Sequence, residues 1–188
     1  MTHMSTAADA LADVVRAIEP DQLTNPTPCT EFDVRELVHH LLYWGPSLEG
    51  AARKENVPPS DVDVTDWRGA LLAQLSRTVE AWTPASAWEG ETSMGPARVV
   101  GDMLVGEVAV HAWDLARATG HPLDLPDDLV AYLYDGIAAG AEQGREMGLY
   151  GPEVPVPADA PLFDRILGLT GRDPAWVSAG AAAPSAAC

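Results

Sequence analysis

Glu107, His111 and Asp114 stand four and three positions apart inside an otherwise apolar stretch, and two further histidines, His39 and His40, adjoin each other far upstream. On a helical wheel of about 100° per residue with Glu107 at zero, His111 falls near about 40° and Asp114 near about −20°. Val100, Met103 and Leu104 occupy the same stripe, so the polar trio sits where core is expected. A carboxylate and an imidazole there require partners, because burying either alone costs several kcal/mol. Glu107 and His111, four residues apart on one face, have side chains close enough to hold one ion between them. The alternative is a buried Glu-His hydrogen bond or a solvated stripe, and the E-x3-H spacing alone does not choose between these readings.

The upstream pair adds a second helix to the argument. His40 shares its phase with Leu37, Leu41 and Trp44, whereas His39 lies on the side of Arg35, Glu36 and Tyr43. Helical bundles build metal sites from side chains on facing helices. Two imidazoles and one carboxylate, His40, Glu107 and His111, form a ligand set found at catalytic zinc, with the fourth position open to water or substrate. The same donors suit nickel, iron(II) or manganese. Asp114, one turn beyond His111, either orients that imidazole as an outer carboxylate or pairs with Arg117.

The elements that must carry these residues read as helices. Apolar spacing places the first over about Ser5–Ile18, ended by Glu19-Pro20. A Pro-rich loop, Asp21 to Thr30, leads to a second helix over about Val34–Ala52, capped by Thr30 or Asp33, with Pro46 predicting a kink or an early end near Gly45. Glu55 to Asp63 is read as loop, and a third helix as about Asp66–Trp82. Pro84 to Pro96 reads as an irregular or extended crossover. The fourth helix, about Ala97–Thr119, carries Glu107 and His111 and stops at Gly120. A fifth runs from Asp127 to about Gly144, its acidic start suited to the helix dipole. A last short one covers about Ala160–Leu169. The expected fold class is all-α, an up-and-down four-helix bundle with additional short helices, forming one domain over residues 1–178, followed by a mobile Ala-rich tail over 179–188.

Composition narrows the partners. The 188 residues are 47% hydrophobic and carry a formal net charge of −17, with no Lys/Arg cluster to follow a phosphate backbone or an anionic bilayer. Nucleic acid and membrane are therefore not expected. No apolar run reaches the roughly 18 to 20 residues of a membrane span, and the N-terminus lacks the pattern of a secretory signal, which reads as cytoplasmic. Cys29 and Cys188 form no paired framework and read as free thiols. A homodimer is compatible with this chain.

Three segments, TPCTEFDVRELVHHLL (27–42), GEVAVHAWDLARATG (106–120) and LTGRDPAW (169–176), together resemble actinobacterial DinB-like proteins, and most of all the metal-binding N-terminal domain of mycothiol-dependent maleylpyruvate isomerase. The resemblance spans about residues 5 to 176. It implies a DinB-like four-helix bundle with zinc held by a His of the second helix and a Glu-x3-His of a later one, which fall on His40, Glu107 and His111. It also implies thiol-dependent S-transferase or isomerase chemistry with mycothiol, or a similar low-molecular-weight thiol, and a small-molecule substrate as partners. The isomerase has a further C-terminal domain that 188 residues do not accommodate, so the transferase chemistry is what carries over. Arg98 and Arg117 are candidates for holding an acidic group of the substrate. Cys29 either approaches the site or is a small buried thiol. The competing readings are a non-catalytic metal-containing binding protein, a metal-dependent hydrolase, and a bundle without metal serving as an interaction module.

Overall fold

The computed structural model describes residues 2–61 and 65–178, so the tail expected over 179–188 lies outside the described residues. Among the described residues six α-helices form: α1 (His3–Ala17), α2 (Val34–Ala52), α3 (Trp67–Trp82), α4 (Ala97–Thr119), α5 (Asp127–Glu146) and α6 (Leu162–Leu169). Local chemistry sets their starts. Thr2 and Ser5 form a capping box on α1. Asp33 accepts from the Glu36 amide at 2.8 Å while the Glu36 carboxylate accepts from the Asp33 amide at 2.9 Å, so Asp33 rather than Thr30 caps α2. Asp66 caps α3 by accepting from the Gly69 amide at 3.0 Å. Gly120, at φ 73°, ends α4 in the left-handed conformation that glycine adopts without Cβ strain.

α2 does not stop near Gly45: it continues through Pro46 to Ala52. Its second half buries its own Leu48, Ala51 and Ala52. The Trp82 indole on α3 donates to the Leu48 carbonyl at 3.0 Å, tying down the turn that follows the proline. Tertiary packing thus outweighs the local preference to break. The crossover before α4 is a 3-10 turn (Ala85–Trp88) and a two-residue hairpin, β1 (Glu91–Thr92) with β2 (Gly95–Pro96).

α1 packs on α4 and α3, and α2 packs on α3 and α4, giving the ring order α1, α4, α2, α3. Two connections, Ile18 to Asp33 and Thr83 to Pro96, therefore cross the bundle between diagonal helices, which is why they are long. α5 lies against α4, and α6 lies against α5. The class is all-α, a DinB-like bundle as the sequence predicts, with the ring order a refinement of it. α4 is covered on most sides, and among its buried residues Val105, Ala109, Ala112 and Leu115 are at 0% exposure. Side chains at its centre consequently sit in a low-dielectric interior. No helix among the described residues is long and apolar enough to cross a membrane.

Candidate metal centre

Glu107 on α4 is the middle of the cluster. Its Oε1 lies 2.8 Å from His40 Nε2, which reaches across from α2, and 3.1 Å from His111 Nε2 one turn along its own helix. The ligating atoms of His40, Glu107 and His111 all lie within 4.8 Å of one another. The two imidazole rings meet nearly edge to face, with centroids 5.3 Å apart. His39 points away, half-exposed, with its Nε2 3.4 Å from Asp61. The arrangement follows the helix phase read from the sequence.

The donors suit a first-row divalent ion. Ligands at about 2.0–2.1 Å in a tetrahedral shell stand about 3.3 Å apart, so the observed 2.8 and 3.1 Å need to open only slightly to admit one. Three protein donors, with the His40 and Glu107 side chains 24% and 32% exposed, leave one side of the cluster facing outward.

Behind the cluster lies a buried ionic chain. His111 Nδ1 is 2.8 Å from Asp114 Oδ2, and Asp114, with no exposed surface, accepts from Arg172 NH2 at 3.0 Å. Arg172 also donates to the Thr170 carbonyl at 2.9 Å. Asp114 therefore orients His111 and does not pair with Arg117, whose guanidinium donates to the Pro174 carbonyl and lies over the Trp113 ring. Gly171, at φ 83°, turns the chain so that Arg172 enters; its Cα side faces the Gly151 backbone, where a Cβ would come within 2.8 Å of Gly151 Cα.

The electrostatics follow from this chain of contacts. Burial alone would raise the Glu107 carboxyl, but the charge of His111 and hydrogen bonds from His111 and His40 hold it well below the usual carboxylate range. Burial alone would depress His111, yet Glu107 and Asp114 on either side of the ring push it up to about 9. In the metal-free protein, His111 is an imidazolium at neutral pH. Burial also pushes the Cys29 thiol up to about 11, with Asp114 and Glu107 adding to the rise and Arg172 opposing it. Cys29 thus sits near the cluster as a protonated thiol. Tyr150 is raised too, by burial first and then by Glu107. The Thr27 hydroxyl donates within the loop to the Cys29 and Phe32 carbonyls, and the Phe32 ring packs against His40 at 5.2 Å between centroids.

Of the other sequence candidates, Arg98 donates to Asp102 at 2.9 Å and lies over Trp88 and Tyr132, on the surface. Neither Arg98 nor Arg117 faces the cluster. Arg172 and Tyr150 are the residues that reading by helix phase missed. Both stand in loops without periodicity, and the only signal was Arg172's place in the 169–176 segment.

Residues 4–116 match the family of the mycothiol maleylpyruvate isomerase N-terminal domain. The matched span includes His40, Glu107, His111 and Asp114 but ends before Arg172. Two proteins of Mycobacterium tuberculosis described as uncharacterized, MT0763 of strain CDC 1551 / Oshkosh and Rv0738 of strain ATCC 25618 / H37Rv, are each 29% identical over 176 residues, covering 92% of this chain and 96% of their own length. No solved structure matches the chain. With a family match across more than half its length and the helical bundle in place, this chain belongs to the mycothiol maleylpyruvate isomerase N-terminal domain family.

Proposed function

We propose that this chain is a metal-dependent enzyme of thiol chemistry, an S-transferase or isomerase in which His40, Glu107 and His111 hold a divalent ion, zinc first. The observation that carries the reading is the convergence of two imidazole nitrogens and one carboxylate oxygen from two helices within 4.8 Å, at a place open on one side. The family's name supplies mycothiol as the thiol to test first. When bound, the ion supplies Lewis acidity that keeps a small thiol in its thiolate form at neutral pH.

The protein's own groups then have defined tasks. Asp114, clamped by Arg172, fixes the His111 ring so that Nε2 faces the cluster. Glu107 bridges the two imidazoles and keeps their nitrogens convergent. Cys29, protonated up to about 11, does not compete as a nucleophile. In a transfer, the substrate thiol gives its proton to solvent, and its sulfur lone pair forms the new S–C bond. The bond from that carbon to the leaving group breaks, and the leaving group departs with the electron pair.

Metal-loaded protein incubated with monochlorobimane and, in turn, mycothiol, cysteine and glutathione provides the test. Thioether and chloride should form faster with at least one thiol, and the acceleration should vanish on chelation and in His111→Ala. Metal-bound protein that accelerates none of them would overturn the enzymatic reading in favour of a non-catalytic binding protein.

A further inference from the structure

Tyr150 carries a hydroxyl without a partner in the protein. Its ring is half-buried and packs against the core, and a tyrosine so placed normally finds a partner for its oxygen. Among the described residues this hydroxyl makes no hydrogen bond, and it is not one of the sealed unpartnered atoms, which are Ser47 Oγ and His121 Nε2. It therefore reaches accessible space. The two tyrosines of α5 differ in this respect, since Tyr132 donates to Asp102 and Tyr134 accepts from Arg165.

The chain fixes the ring beside the metal centre. Gly148, at φ 73°, turns the backbone at the end of α5, with the Leu149 amide donating to the Gly144 carbonyl at 2.8 Å. Tyr150 then lies on Gly144, where a Cβ would come within 2.5 Å of its Cδ2 and 2.6 Å of its Cε2. The next residue, Gly151, meets the backbone of Gly171. Tyr150 and Arg172 thus flank one crossing of two loops, and from it Arg172 reaches Asp114 behind His111. Glu107, whose side chain is the most exposed of the three ligands at 32%, also acts on the phenol. Burial first and the Glu107 charge next raise its titration above the ordinary range, with Arg172 opposing. At neutral pH the group keeps a proton to donate.

We infer that Tyr150 is a ligand-binding residue whose hydroxyl donates to the anionic atom occupying the open position at His40, Glu107 and His111. The ligand class is an anion that keeps a lone pair free to accept after it binds the ion: a thiolate, a carboxylate or azide. Such a donor favours a bound anion over a neutral ligand and adds nothing to the hold on the ion itself. This rests on the metal-centre reading above, but it is separable from thiol turnover.

The test titrates cobalt(II)-loaded wild-type protein and Tyr150→Phe with azide and, separately, with imidazole, whose one coordinating lone pair leaves no acceptor. The visible absorption of the cobalt reports binding. Azide should bind about 10-fold or more weakly to Tyr150→Phe, the loss expected for a hydrogen bond to a charged group. Imidazole affinity, cobalt affinity and melting temperature should be unchanged. Azide and imidazole weakened alike, or neither weakened, would overturn the inference. So would a fall in cobalt affinity, which would make Tyr150 a support for Glu107. Wild-type protein that takes up no cobalt would overturn the metal-centre reading and this inference with it. The predicted azide difference in a protein that accelerates no thiol reaction would support the inference while the thiol reading fails.

Discussion

His111 has a carboxylate on each ring nitrogen, Glu107 at 3.1 Å and Asp114 at 2.8 Å. With both in place, the ring keeps a proton up to about 9 in the metal-free protein, although burial opposes the charge. Since that value lies above the ordinary 6.5, His111's contribution to the stability of the metal-free protein is complete below about 6.5 and is lost as pH climbs through about 9. The melting temperature of the metal-free protein should therefore fall across that window, and the fall should be smaller in His111→Gln. An ion taking Nε2 expels the same proton, so metal affinity should strengthen with rising pH over this range. Asp114→Asn weakens the hold on the imidazolium and on the ring's orientation. Its His111 resonance should titrate about one unit or more lower by NMR, and metal affinity should drop by about 10- to 100-fold. A ring titrating unchanged in Asp114→Asn would mean the contact does not shape the site.

At the scale of elements, the helices bearing the ligands are legible because their polar residues interrupt strong apolar periods and their ends are marked: Thr30 or Asp33 before α2, of which Asp33 is the cap, and Gly120 after α4. The preference for His40 over His39 came from the same phase. The span Val34–Ala52 forms as the apolar period predicts; the early end that Pro46 also suggested does not occur, because the cost of a proline is local while the support for α2 beyond it comes from Trp82 on another helix. Arg172 was illegible for a related reason. It lies 58 residues from Asp114, in a turn whose path depends on two glycines meeting. Arg98 and Arg117 look like equal candidates in sequence, since a guanidinium on a helix can turn to solvent or to a site, and only packing decides. Gly171 is where this element is most exposed to a single change. An Ala there must adopt a positive φ and displace the Gly151 backbone, costing about 2 kcal/mol or more. Urea unfolding should show that loss, and the metal affinity of the folded fraction should fall as Arg172 leaves Asp114. Gly148→Ala, also at positive φ but with open space around its Cβ position, should lose less.

The whole molecule gathers the centre from three regions: α2, α4 and the segment after α6. A buried acid and a buried guanidinium of this kind are expensive in isolation, and removing one partner from such a pair costs about 3–5 kcal/mol. Their presence beside two imidazoles and a second carboxylate places most of the interior's charge at one spot in an otherwise aliphatic core. The net charge of −17 acts at longer range, favouring approach of cations over anions until salt screens it. All of this depends on the three ligands acting together on one ion. Elemental analysis of purified protein measures that directly: about one zinc or neighbouring first-row ion per chain, lost in His40→Ala and in His111→Ala, and kept in His39→Ala. Metal that survives His40→Ala but is lost in His39→Ala, or wild-type protein that binds none after incubation with zinc, would contradict the account.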